Sequence, residues 1–156
     1  MDKNKRLLII AHAPSPNIQR MLEALVNGAN DESVERVEVK YIPALQAVAE
    51  DVLNADAVIL VTPENLGYMS GALKDFFDRN YYSCIDKTDA LPCAIVIRAG
   101  NDGTGTRRAL ESILTGLRWK IVQQPLICRG GFQEEFIAQC EELGLFMAAG
   151  LEAGII

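Results

Sequence analysis

Apolar residues fall along this chain in two alternating patterns. Leu7-Leu8-Ile9-Ile10-Ala11, Ala57 to Val61 and Leu91 to Ile97 are short continuous apolar runs, the pattern of strands covered on both faces. Between them apolar residues recur at helical spacing. Ile18, Met21, Leu22, Leu25, Val26 and Ala29 form one such set, and Leu73, Phe76 and Phe77 begin another that runs to about Tyr82. Ala109, Leu110, Ile113, Leu114 and Leu117 form a third, and Phe136, Ile137, Cys140, Leu143 and Met147 a last one. Leu45, Val48, Val52 and Leu53 predict a shorter amphipathic helix. Val37-Glu38-Val39-Lys40-Tyr41 alternates with charge and reads as a more exposed strand, with Val34 just before it. Ile121 to Cys128 reads as a last strand that Pro125 interrupts, so it belongs at an edge or a bulge. Strand and helix therefore alternate throughout, which implies a parallel sheet with helices on both faces. Edge-like second and fifth strands suit the order 2-1-3-4-5. No repeat, linker or low-complexity run divides residues 1–156, and one α/β domain is expected.

Turn-forming residues locate three loops at the carboxyl ends of strands one, three and four, where open α/β sheets bind ligands. The first is His12 to Asn17, in which Ser15 before Pro16 matches a helix N-cap. A helix N-terminus favours an anion, and Ser15 and Asn17 can add donors; Ser15 can equally be a cap and nothing more. The second follows Val58-Ile59-Leu60-Val61: Pro63 should stop the strand, Asn65 and Gly67 let the backbone turn, and Ser70 caps the next helix. Leu66, Tyr68 and Met69 make this loop apolar and aromatic, as a ligand wall would be, although an ordinary connection is the plain alternative. The third, Arg98 to Gly105, carries Gly100, Gly103 and Gly105, at the wrong spacing and after the wrong strand for a dinucleotide fingerprint. Its glycines permit close approach to a ring, and Asp102 could accept from a ring N–H; turn residues alone would look the same. His12 has no carboxylate pair or nucleophile near it, so no catalytic residue is assigned. Lys74 and Asp78 read as a solvated i,i+4 pair, and Arg107 and Arg108 as helix charges.

Composition narrows the classes further. Net charge is −6 and the pI about 4.8, which argues against a nucleic-acid partner. No apolar run approaches the roughly 18 residues of a membrane span, and Met1 to Arg6 leads into too short an apolar run for a signal peptide. Cys84, Cys93, Cys128 and Cys140 form no Cys-x-x-Cys pair, and with a single His no zinc site is expected. Reduced cysteines in apolar runs fit a cytoplasmic setting.

Thr62-Pro63-Glu64-Asn65-Leu66-Gly67-Tyr68-Met69-Ser70-Gly71-Ala72-Leu73-Lys74-Asp75-Phe76-Phe77-Asp78-Arg79 resembles the second flavin loop of flavodoxin-like NAD(P)H-dependent FMN reductases and quinone reductases. Ala99-Gly100-Asn101-Asp102-Gly103 is similar to their third. The resemblance implies a flavodoxin-like three-layer fold and an FMN-dependent oxidoreductase, reduced by NAD(P)H and passing electrons to a small quinone or flavin or to a redox protein. It places the FMN phosphate at Ser15, Pro16, Asn17 and Ile18, beside His12. It places the ring against Pro63, Glu64, Asn65, Leu66, Gly67 and Tyr68, with Ala99, Gly100, Asn101, Asp102 and Gly103 beside it. Glu64 and Asp102 are then candidates for adjusting the flavin potential, since the cofactor supplies the redox chemistry. The first loop departs from the family in having few hydroxyls, with Ile18 where Thr is common. The chain also lacks the insertion of tetrameric quinone reductases; a homodimer through helix faces is compatible with this type of sheet. A flavodoxin-type electron carrier is the alternative, with Tyr68 the only near aromatic for sandwiching a ring. A receiver-type signalling domain would want acidic residues where His12 and Thr62-Pro63 stand.

Overall fold

The computed structural model describes residues 4–156. The reading of the amino-terminal stretch rests in part on Met1 to Lys3, which lie outside the described residues. The elements run β1 (Lys5–Ala11), α1 (Pro16–Ala29), β2 (Val37–Pro43), α2 (Ala49–Leu53), β3 (Ala57–Asn65), β4 (Tyr68–Met69), α3 (Gly71–Cys84), β5 (Pro92–Ala99), α4 (Thr104–Leu117), β6 (Lys120–Ile121), β7 (Leu126–Arg129) and α5 (Glu135–Ala153). The sheet order is β2-β1-β3-β5-β6, with β7 continuing the β6 edge along β5 and β4 folded back on β3. All pairings but β3–β4 are parallel. This is the 2-1-3-4-5 order expected, with the fifth position filled by two short strands on either side of Pro125. Proline cannot donate to a ladder, so the edge strand breaks there.

The three apolar runs are the central strands because each buries both faces. Leu8, Ile10, Val58, Leu60, Ile95 and Ile97 point to one side and pack with α2, α3 and α4. Leu7, Ile9, Ile59, Val61, Ala94 and Val96 point to the other and pack with α1 and α5. Two glycines let α1 and α5 approach at backbone distance. A Cβ at Gly28 would lie 2.0 Å from the Glu141 carbonyl oxygen, and one at Gly144 would lie 2.1 Å from that of Leu25.

Three boundaries differ from the sequence expectation. β3 does not stop at Pro63 but runs on to Asn65. The last β1–β3 pair is Ala11 with Val61, so Pro63 lies beyond β1 and its missing N–H interrupts no ladder bond on that side. The short helix after β2 begins only at Ala49, leaving Leu45 and Val48 in the preceding turn and well exposed. The last helix extends to Ala153, six residues past Met147.

Candidate functional site

The register of the central strands brings the three loops to one edge. Ala11 pairs with Val61, Thr62 with Ile97 and Pro63 with Arg98, so β1, β3 and β5 all run out at the same edge of the sheet, β3 and β5 extending a few residues past β1.

The first loop opens onto α1. Ser15 occupies the N-cap position, with extended backbone, yet its hydroxyl makes no capping bond. The Gln19 N–H instead donates to the Ser15 carbonyl at 3.0 Å. Ser15, Pro16 and Asn17 are exposed, whereas the Ile18 side chain is buried in the core. Ile18 can therefore offer a ligand only its backbone amide, not a side-chain contact. The His12 N–H continues the sheet by donating to the Val61 carbonyl at 3.0 Å, with its ring half-buried at the rim.

The second loop is a tight hairpin and not an open connection. Glu64 pairs with Met69 and Asn65 with Tyr68, antiparallel, around a two-residue turn. The turn residues are Leu66, φ 53°, and Gly67, φ 74°, so Leu66 and not Asn65 bends the chain. Two positive-φ residues in succession match the turn whose twist suits a hairpin. Thr62, fully buried, closes the base: its Oγ1 accepts from the Ser70 N–H at 2.9 Å and donates to the Pro63 carbonyl at 2.8 Å. Ser70 caps α3 as expected, its hydroxyl accepting from the Leu73 N–H at 3.2 Å. Lys74 and Asp78 form the surface pair expected on α3.

The hairpin leans on the third loop. The Gly67 carbonyl sits where a Cβ of Gly105 would be, 2.2 Å away, so Gly105 permits that contact. Both Glu64 carboxylate oxygens accept backbone bonds, from the Asn101 N–H at 3.0 Å and the Gly103 N–H at 2.8 Å. Asp102 accepts from the Thr104 N–H at 3.0 Å, and that bond holds its exposed carboxyl below the usual aspartate range. Glu64 and Asp102 are thus engaged by the protein itself. Ala99 is fully buried, and its carbonyl accepts from the Gly130 N–H and the Arg98 guanidinium, so it shapes the loop from below and does not face the rim. Arg98 is not part of the loop but the penultimate residue of β5; its guanidinium lies over the Phe132 and Phe136 rings and donates to the Ala99 and Cys128 carbonyls.

Sequence reasoning passed over two residues here. Arg129 Nε donates to the Asp102 carbonyl at 2.7 Å and fastens the third loop from the far side. Thr62, which the sequence places at the start of the second loop, lies inside β3, and its closure of the hairpin base carries no sequence signal. The signal for Arg129 was its place before Gly130-Gly131 at the end of the last strand, the same edge as the other loops.

This rim suits a planar, phosphorylated ligand. Apart from the adjacent residues, nothing in the protein lies within 4 Å of where a Cβ of Gly67 or Gly100 would stand, so both loops leave backbone open to a ring. The uncommitted Ser15 hydroxyl and the first turn of α1 supply donors for an anion. Among the described residues no cluster of His, Cys, Asp and Glu could hold a metal ion, and no helix is long and apolar enough to cross a membrane.

Comparison with known proteins adds the family. A family model described as NADPH-dependent FMN reductase matches residues 12–132, from the start of the first loop into the loop after β7. A flavodoxin from Aquifex aeolicus is 32% identical over 112 residues, which are 72% of this chain and 60% of that protein. An NAD(P)H dehydrogenase (quinone) from Acidithiobacillus ferrooxidans is 28% identical over 92 residues, 47% of this chain and 46% of that one. The aligned segments thus span about half to three fifths of these curated relatives. Among solved structures, a flavodoxin from the domain Archaea superposes with a TM-score of 0.79 at 16% identity, covering 94% of this chain and 98% of its own. The fold is flavodoxin-like, and the chain belongs to the NADPH-dependent FMN reductase family.

Proposed function

We propose that the chain is a single flavodoxin-like domain that binds FMN at this edge and acts as an NAD(P)H-dependent oxidoreductase. The observation that carries the reading is the span of the family match: it takes in all three loops that the parallel sheet brings to one edge. The α1 N-terminus, with the amides of Asn17 and Ile18 and the Ser15 hydroxyl, holds the FMN phosphate, and His12 and Pro16 shape that loop. Pro63 to Tyr68 form one wall of the ring site, and Ala99 to Gly103 the other. When bound, FMN supplies the redox chemistry, accepting a hydride from NAD(P)H and passing electrons to a small quinone or flavin or to a redox protein. The chain's part is to orient the ring and leave one face open to reductant and acceptor. A cytoplasmic location and homodimerisation through helix faces belong to the same proposal.

One observation favours a second reading, that of an electron carrier: the relative at 32% identity is a flavodoxin. Against it stands the rim, where Tyr68 is the aromatic side chain of the hairpin and is 39% exposed. A spectrum separates the two. The purified protein, loaded with FMN, should be yellow and should bleach rapidly on anaerobic addition of NADPH. A yellow protein that NADPH cannot bleach is a carrier. A colourless protein that takes up no added FMN removes both readings.

A further inference from the structure

We propose that Glu64 is a positioning residue that sets the shape of the third loop before any cofactor arrives, a role that rests on the FMN reading above. Asn101 and Asp102 are exposed, lie in neither helix nor strand, and connect β5 to α4. Such a segment would ordinarily have to be ordered by its ligand, at a cost in affinity. Here it is held from two sides. Glu64 takes the Asn101 and Gly103 amides with its two oxygens, across 37 and 39 residues of chain, and Arg129 takes the intervening Asp102 carbonyl. The hairpin that carries Glu64 is itself fixed, by Thr62 at its base and by Gly67 against Gly105 at its tip. Gly103 adopts φ 73° and a Cβ there would meet an Ile127 methyl at 2.7 Å, so the loop's end lies close against the apolar core as it enters α4. A single carboxylate thus joins the two walls of the ring site. It also leaves a negative charge between them, which opposes the charge that reduction adds to a bound ring.

Three forms of the protein test this: wild type, Glu64→Ala and Glu64→Gln. In the cofactor-free state, amide hydrogen exchange should be slow at Asn101 and Gly103 in wild type and fast in Glu64→Ala. Glu64→Ala should weaken FMN binding by about tenfold or more, because the loop must now be ordered by the ligand. Its urea midpoint should fall only modestly, since the variant loses two hydrogen bonds at the rim and no apolar side chain of either core. Glu64→Gln, neutral and able to accept only one of the two bonds, should bind FMN with intermediate affinity and give a more positive midpoint potential for the bound flavin. A merely structural carboxylate would not move that potential. Equal exchange at Asn101 and Gly103 in wild type and Glu64→Ala overturns the proposal. So does unchanged or tighter FMN binding by Glu64→Ala, the latter meaning that the carboxylate competes with the ring for those amides. Failure of wild type to take up FMN would sink the underlying reading as well, whereas FMN uptake that is indifferent to Glu64 sinks this role alone.

Discussion

Leu66 is fully exposed at the tip of a two-residue turn that normally prefers Asn-Gly, and it holds a positive φ that costs a branched L-residue roughly 1 kcal/mol. Its side chain belongs to neither apolar core. Its neighbour Gly67 gives a sharper test of the site. Space beyond the Gly67 Cα is empty, and φ is 74°, a conformation that aspartate tolerates better than most side chains. Gly67→Asp should therefore cost folding only about 1 kcal/mol. The new carboxylate would project into the space assigned to the ring. FMN should be lost or bound at least about tenfold more weakly, the equivalent of about 1.4 kcal/mol. Isothermal calorimetry with FMN, beside urea unfolding of the same preparation, checks both halves. Undiminished affinity would mean that the ring does not pass this turn.

At the scale of elements, the α1–α5 layer depends on two glycines. Ordinarily a helical Gly→Ala change gains up to about 1 kcal/mol of propensity. At Gly144 the added methyl would meet the Leu25 carbonyl oxygen at 2.1 Å, and backbone cannot rotate away as a side chain can. Overpacking of this kind costs about 1–3 kcal/mol, so Gly144→Ala should be net destabilising. A lower urea midpoint at unchanged m-value is the expected record. That close crossing was not legible in the sequence, because the backbone that Gly144 meets, at Leu25 and Ala29, lies far away along the chain. What was legible depended on local chemistry. β1, β3 and β5 declared themselves as apolar runs because both faces are covered, and α1 and α4 as amphipathic stripes because one face is. Pro125 marked the broken edge for the same local reason. Pro63 misled, because a proline ends a strand only where its N–H would have had a partner, and that depends on how far β1 extends. The hairpin was hidden because Leu66-Gly67 lacks the usual turn pair. The three loops at the rim were legible from their places after strands, but Glu64 and Arg129 bond to partners that no periodicity relates to them.

The molecule as a whole keeps its four thiols out of water, two in each apolar layer: Cys84 and Cys93 on the α3 side, Cys128 and Cys140 on the α5 side. Burial opposes the charged thiolate. It pushes Cys93, fully enclosed in β5, from an ordinary 9.0 up to about 12. Cys140 is also raised, by its contact with the Cys128 thiol and by burial, while that same contact and Arg98 draw Cys128 down. For Cys93 the sign follows directly. Between its ordinary value and about 12, the unfolded chain has released this proton and the folded one has not, so unfolding is favoured as pH rises. Below that window both states hold the proton and the group contributes no slope. Within it, Cys93 should remove stability at up to about 1.4 kcal/mol per pH unit. Lysines and tyrosines titrate in the same range, so the measurement is a difference. Urea unfolding of wild type and of Cys93→Ala should be compared from pH 7 to about 11, a range set by the ordinary pKa of cysteine. At neutral pH the variant should be the less stable by about 1 kcal/mol, from the atoms removed from the core. As pH rises past the ordinary thiol value the gap should close and then reverse, because the variant has no buried thiol to keep protonated. A gap that stays constant to the top of the range would mean that β5 opens enough for Cys93 to ionise in place, and with it the strand that carries the third loop of the proposed flavin site.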